Sequence, residues 1–521
     1  MRAVMLFRSR FERPLIGGGG PVEPLPSGAC EYCTAAASAG AAPTAGRPGG
    51  GFGLGPAASI DAMTTDSDAR PTDNDRSQLE EQWQRAFDWI EKQVGGRIVS
   101  FERQARWRPA FFLEVDRAGE SMPLYLRGER GALDHGVYPL EHESKVLEIL
   151  HAEGVPTPRA HGFCRDPQGI LMDRMPGRAD LSTAESEEER VSVLNHYMDI
   201  LADMHSIDPK RFEEIGVERP GGAESLGFMD LDRWETTWRS TKKRPEPMIE
   251  FTLGWLRRNV PRDRDKVSCL QVDSAQFLFD KGRVTSLLDL ELACLGDPAA
   301  DLAAMRGRDL AEPLGDLIPA FERYFEKTGE RIPKSVIDYH SVRFNLYTPF
   351  TCAPIVHEPP LTVDLVQYLG WYWVWARVSF EIIADGMGLE LETPTIPGPT
   401  RTIHSPGHDL MVEKLAELRS GQEGFLEYEL DVAWRNAFYL RRVESMWPEM
   451  EAEEIAEIDR LLGRVTKPQN REAELEAFVL AKGADHEAEL LQLFQKRCLR
   501  HEALMGESMR ELHGKTYQLI P

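Results

Sequence analysis

Two carboxylates close the stretch "VTSLLDLE" at residues 284–291. Asp289 follows directly on an apolar, β-like run, and Glu291 lies two residues on, on the same face. A carboxylate at the end of a strand is aimed into a cleft, where its oxygens suit a hard cation such as magnesium. Phosphoryl transfer asks for such a group, for a cation that meets the phosphates, and for a carboxylate beside the acceptor hydroxyl. A lone strand-end Asp is usually a turn or cap residue. Here the "LGDPAADLA" that follows favours the metal-binding reading of Asp289.

The elements that must position these groups are visible in the periodicity. A helical stretch, "QLEEQWQRAFDWIEKQVG", leads into "GRIVSFERQ", "AFFLEVDR" and "MPLYLRGE", which read as successive antiparallel strands. "EHESKVLEILHAEG" has helical spacing, with Val146, Leu147 and Leu150 on one face, and "VPTPRAHGFC" and "GILMDRMPG" add two strands. From "SEEERVSVLNHYMDILADMHSID" onward helices dominate, interrupted by a hairpin, "QFLFDKG" and "RVTSLLDLE", with Lys281-Gly282 at its turn. The pattern predicts an α+β chain of two lobes: a small antiparallel sheet lobe over 76–178 and a mostly helical lobe over 179–395. Beyond "TPTIPGPT" only helices follow, which predicts a separate helical domain over 400–521. Residues 1–75, rich in Gly, Pro, Ala and Ser, are too poor in apolar surface to offset the entropy of ordering and read as a disordered tail. A translation start at Met63 would remove most of it.

The stretch "GRVTSLLDLELACLGDPAADLA" closely resembles the signature of the aminoglycoside phosphotransferase-like kinases. The nearest branch is the one related to the kinase-like domains of acyl-CoA dehydrogenases 10 and 11. "EHESKVLEILHAEGVPTPRAHGFC", "LADMHSID" and "RPGGAESLGFMDLDRWETTW" match in order and spacing, so the resemblance covers about residues 85–390. It implies a protein-kinase-like fold with ATP between the lobes. On that match Arg127, in "LYLRGE", takes the position of the phosphate-contacting cation, and Arg for Lys keeps the charge and adds a bidentate fork. Glu143 is its helix partner, the backbone near Asp173 to Met175 meets adenine, and Asp289 binds Mg2+. Asp297 and Asp301 are implied to cap and brace the lobe. The plainer reading of Arg127 and Glu143 is an ordinary strand Arg and helix Glu.

The chain departs from the family where the chemistry is expected. The family pattern is H-G-D, four residues, then N. Without a gap it falls on Cys269, Leu270, Gln271 and Gln276, with no catalytic carboxylate. With the loop shortened by two residues, Gln271-Val272-Asp273 replaces the triplet and Gln276 replaces the Asn as the second magnesium ligand. The second alignment is preferred because it retains an Asp, Asp273, where a base is needed. In place of a glycine-containing phosphate loop stands "RQARWRPAFF", whose Arg103, Arg106 and Arg108 either bind anions or are solvated strand residues around Trp107. The implied function is an ATP- and magnesium-dependent small-molecule kinase acting on a hydroxyl, as of a hydroxyacyl coenzyme A thioester. The alternative is a degraded kinase fold that binds nucleotide or serves as a scaffold, with its C-terminal helices docking a protein partner or a second copy.

Composition narrows the partners. A formal net charge of −24 over 521 residues, without a Lys/Arg stripe, argues against nucleic acid. No run of eighteen apolar residues occurs, and "YLGWYWVWARVSFEIIADGMG", broken by Arg377 and Glu381, reads as a buried helix. Seven scattered cysteines suit a reducing compartment, and the Cys30/Cys33 pair lacks the further ligands of a metal site. A cytoplasmic location is expected.

Overall fold

The computed structural model of the chain describes residues 76–104, 108–129, 138–361, 363–422 and 424–520. The N-terminal tail, Met63, the Cys30/Cys33 pair, Arg106 and Trp107 lie outside the described residues.

The first lobe is built on five strands: β1 (Arg97–Arg103), β2 (Ala110–Arg117), β3 (Glu120–Gly128), β4 (Ala160–Arg165) and β5 (Gln168–Asp173). They form one antiparallel sheet in the order β1-β2-β3-β5-β4. Alternation along β2 explains how both faces are covered. Phe111, Leu113 and Val115 face one way, where Trp83, Phe87 and Ile90 of the helix Glu81–Val94 pack on them. Ala110 and Phe112 face the other way, toward Val146, Leu147 and Leu150 of the helix Leu140–Ala152. The first helix stops at Gly95, whose φ of 65° makes the left-handed C-cap that turns the chain into β1.

Two short ladders in the second lobe place the loops that matter. β6 (Ser268–Leu270) pairs with β9 (Cys294–Gly296), and between them β7 (Phe277–Asp280) pairs with β8 (Arg283–Leu287). The β7–β8 turn falls on Lys281 and Gly282, both at positive φ, as a tight hairpin turn requires. Because one ladder nests inside the other, the loop 271–276 leaving β6 and the loop 288–293 entering β9 run side by side. Asp273 lies in the first and Asp289 in the second.

The C-terminal helices correct one expectation. The stretch 400–521 is helical, but it does not stand apart as its own domain. Leu475, Val479, Leu490, Phe494 and Cys498 share one continuous core with Phe251, Trp371 and Phe380 of the second lobe. Phe494 lies 5.6 Å from Phe251 and 5.5 Å from Phe380 between ring centroids, and His501 stacks on Trp373 at 3.9 Å. The apolar stripes of the helices Arg471–Lys482 and Glu487–Met505 find their cover on the lobe itself.

The chain's last residues continue this docking. The Gln518 side chain donates to Asp309 (2.7 Å) and to the Gly315 carbonyl (2.6 Å) and accepts from the Leu317 amide (3.1 Å). Its backbone carbonyl accepts two bonds from Arg306, whose guanidinium covers the Tyr517 ring at 4.3 Å. Deleting residues 515–521 therefore leaves buried donors on Arg306 unmatched. At about 1 kcal/mol for each lost bond and more for the charged donor, the loss is on the order of 3 kcal/mol. A thermal melt several degrees below the full chain is expected; an unchanged midpoint would show that the tail is not anchored.

Candidate active site

Between the lobes a buried ion cluster forms around Arg127. Its Nε donates to Glu143 Oε2 at 3.0 Å, and its Nη2 donates to Asp289 Oδ1 at 2.6 Å and to Glu291 Oε2 at 3.1 Å. Arg108 donates to the same Glu291 oxygen at 2.6 Å. The sheet, the helix Leu140–Ala152 and the 288–293 loop thus contribute to one constellation. Burial alone would favour a neutral Arg127, but Glu143, Asp289 and Glu291 hold its proton still more firmly than usual. Burial pushes the Glu143 carboxyl up, which Arg127 opposes and the neighbouring carboxylates reinforce.

The sequence assigns Arg127, Glu143 and Asp289 to one site, and the structure brings them together. The pairing of Arg108 with Glu291 leaves no trace in the sequence, because the two are 183 positions apart. Arg103 points elsewhere: it pairs with Glu80 at 2.9 Å and lies over Phe111, away from the cluster.

In the adjoining loop the two alternatives for the missing base, Gln271 and Asp273, have different surroundings. Gln271 is fully buried. Its amide donates to the Gln276 and Leu288 carbonyls (3.0 and 2.9 Å) and accepts from the Tyr197 hydroxyl (2.8 Å). Asp273 instead lines a pocket, accepts from Gln276 Nε2 at 2.8 Å and forms an ion pair with Arg308. Burial pushes the Asp273 carboxyl up; Arg308 pulls it back in part, and nearby Asp289 and Glu291 oppose ionisation. Sequence reasoning passes over Arg308 as well: it closes the helix Ala299–Arg308, and a basic residue in a last turn reads as a helix-end charge.

The loop carrying Asp273 is held in an unfavourable backbone shape. Val272 and Ala275 have φ of 70° and 69°, and Asp289 across from them 54°. Such conformations cost roughly 1–3 kcal/mol each for non-glycine residues and cluster at functional sites. Their support is visible. Asp301 accepts from the Gln271 and Val272 amides (2.9 and 2.7 Å), and the Tyr197 hydroxyl accepts from Ala275 (2.7 Å). His205 in turn contacts Asp301 at 3.0 Å. Asp297 accepts from the Ala299 amide (2.9 Å) at the start of the helix Ala299–Arg308 and takes a bidentate pair from Arg264.

Two features bear on bound groups. The Gln276 Oε1 is buried without a hydrogen-bond partner among the described residues. Such an oxygen beside a carboxylate suits a magnesium ion that takes its remaining ligands from phosphates and water. Among the described residues no group of three His, Cys, Asp or Glu side chains gathers into a metal site. At the strand connecting the lobes, the Asp173 and Arg174 amides are spent on the Arg159 and Pro123 carbonyls (3.0 and 3.1 Å). The Asp173 carboxylate contacts His161 at 2.6 Å, and Met175 packs against the main core.

A five-stranded antiparallel lobe, a helical lobe and an Arg–Glu–Asp cluster between them define a protein-kinase-like fold. Residues 107–343 match the phosphotransferase enzyme family, which bears out the resemblance read in the sequence. The chain is 27% identical over 218 residues to acyl-CoA dehydrogenase family member 11 of Rattus norvegicus, covering 39% of this chain and 27% of that protein. Family member 10 of Mus musculus is 27% identical over 217 residues, covering 37% of this chain and 20% of that protein. The chain thus spans about a quarter of the length of these curated relatives. A solved structure, a thermostable mutant of the aminoglycoside phosphotransferase APH(4)-Ia in ternary complex with ADP and hygromycin B, is 14% identical with a TM-score of 0.42. That alignment covers 56% of this chain and 97% of the other. Among the described residues no helix is long and apolar enough to cross a membrane.

Proposed function

We propose that this chain is an ATP- and magnesium-dependent small-molecule kinase that transfers the γ-phosphoryl group to a hydroxyl. The observation that carries the reading is the Arg127 guanidinium bonded at once to Glu143 of the first lobe and Asp289 of the second. That is the charge arrangement a nucleotide triphosphate needs at a lobe interface.

In this reading Glu143 orients Arg127 toward the phosphates, and the backbone near Asp173 to Met175 meets the adenine. Asp289 and Gln276 hold the metal, which when bound neutralises phosphate charge. Asp273 accepts the proton as the acceptor oxygen bonds to phosphorus and the bond to the ADP oxygen breaks. The acceptor proposed from the relatives is a hydroxylated acyl compound, free or as its coenzyme A thioester, in a cytoplasmic setting.

Asp289→Asn should weaken Mg-ATP binding by ~10-fold or more, the worth of a charged contact, with the circular dichroism spectrum unchanged. Calorimetry reads this directly, and equal affinity in the two proteins would remove Asp289 from the site. A scan of hydroxylated metabolites with radiolabelled ATP tests the reaction itself. The second reading is a nucleotide-binding scaffold. It is favoured by Gln271 at the ungapped base position and by the ion pair that engages Asp273, and it expects Mg-ATP binding without turnover.

A further inference from the structure

The pocket that Asp273 lines differs in chemistry from what a polycationic sugar needs. Its walls are Trp234, Leu292, Phe344, Tyr347 and Trp375, drawn from three helices of the second lobe and the loop before β9. Trp234 and Tyr347 stack at 4.6 Å between centroids, 19° apart, and form a flat apolar face. Their polar tips are turned to a buried carboxylate: Trp234 Nε1 donates to Asp230 at 3.2 Å, and the Tyr347 hydroxyl donates to the same residue. The Thr351 hydroxyl, also on the wall, donates back to the carbonyls of its own helix at 2.9 and 3.1 Å. Among the described residues the charged ones lining the pocket are Asp273 and Arg308, paired with each other, and Arg308 also reaches Glu312 at 3.1 Å.

A ligand entering here meets aromatic faces and, among the described residues, one carboxylate, which Arg308 already engages. Amino groups carried into such a site would lose hydration against the rings and would have to displace Arg308 to reach the carboxylate. A ring or short alkyl body would gain by burial against the rings. We infer that this pocket takes the uncharged, largely apolar, hydroxyl-bearing part of its ligand, with that body against Trp234, Phe344 and Trp375 and its hydroxyl toward Asp273, and that it excludes polyamines. The assignment rests on the kinase reading only in calling that hydroxyl the phosphoryl acceptor.

Calorimetry on the full chain with phenylbutanol and with hygromycin B tests it. Phenylbutanol should bind saturably and more tightly than hygromycin B. Ala311→Trp, which fills the pocket from its wall, should weaken phenylbutanol by ~10-fold or more while Mg-ATP affinity stays at the parent value. Phe344→Ala, on a half-buried ring, should weaken it in the same direction if the larger residue disturbs the fold. Tighter binding of hygromycin B, or phenylbutanol binding indifferent to both substitutions, would overturn the assignment. Pocket-dependent phenylbutanol binding with no phosphoryl transfer to any alcohol would support the pocket assignment and sink the kinase reading. Turnover of hygromycin B would uphold the kinase and sink the pocket assignment.

Discussion

Asp273→Asn should abolish turnover of any acceptor the protein phosphorylates, by ~10²–10⁴-fold in kcat, while leaving Mg-ATP affinity near the parent value. The amide keeps the size of the side chain and an oxygen for the Gln276 bond, but it cannot take a proton from the acceptor. The lost interaction belongs to the transition state, so kcat falls and nucleotide binding does not. The pH profile offers a second reading of the same residue. Burial, with Asp289 and Glu291 nearby, holds the carboxyl above the ordinary carboxylate range despite Arg308. A base works only when ionised, so activity should fall as pH drops through that raised value, earlier than for a solvent-exposed Asp. Arg308→Gln removes the cation that pulls it down and should move this acid limb to higher pH. A mutant that turns over like the parent would make Asp273 a turn residue. No turnover in either protein across a broad acceptor panel would favour the scaffold.

Arg127→Met should cost about 3–5 kcal/mol of stability at neutral pH, because it strands carboxylates that now share one guanidinium. Glu143 is 2% exposed and has no other cation within bonding distance among the described residues, so it cannot be rescued by water. The sign of the pH dependence follows. A carboxyl whose folded pKa is raised favours the folded state below its unfolded pKa, and that contribution is lost as pH rises through the folded value. The deficit of Arg127→Met relative to the parent should therefore shrink as the solution is acidified. Adding Glu143→Gln should recover part of it at neutral pH. Denaturant unfolding of the parent, the single and the double variant at two pH values measures all of this. A single variant as stable as the parent would mean that the cluster is held together by something other than Arg127.

Much of this molecule is written locally in its sequence. The strands of the first lobe follow from period-two alternation, since each side of "AFFLEVDR" must bury a different partner helix. The β7–β8 turn follows from Lys281-Gly282, where glycine tolerates the positive φ that the hairpin demands. Asp289 can be singled out because a strand and a recognisable following stretch frame it. Arg127 and Glu143 emerge through the order of motifs, and neither residue stands out alone.

Contacts between residues far apart along the chain decided the rest. Whether Gln271 or Asp273 faces the pocket depends on how the loop is gripped. Asp301 holds the Val272 amide from 29 positions away, and Tyr197 holds the Ala275 amide from 78. The pairing of Asp273 with Arg308 and of Arg108 with Glu291 has no local periodic trace. An isolated Arg at a helix end or just before a strand looks the same whether it meets water or a buried carboxylate. The C-terminal helices read as a separate domain for a related reason: amphipathic spacing tells that one face must be covered, and only the packed lobe says by what.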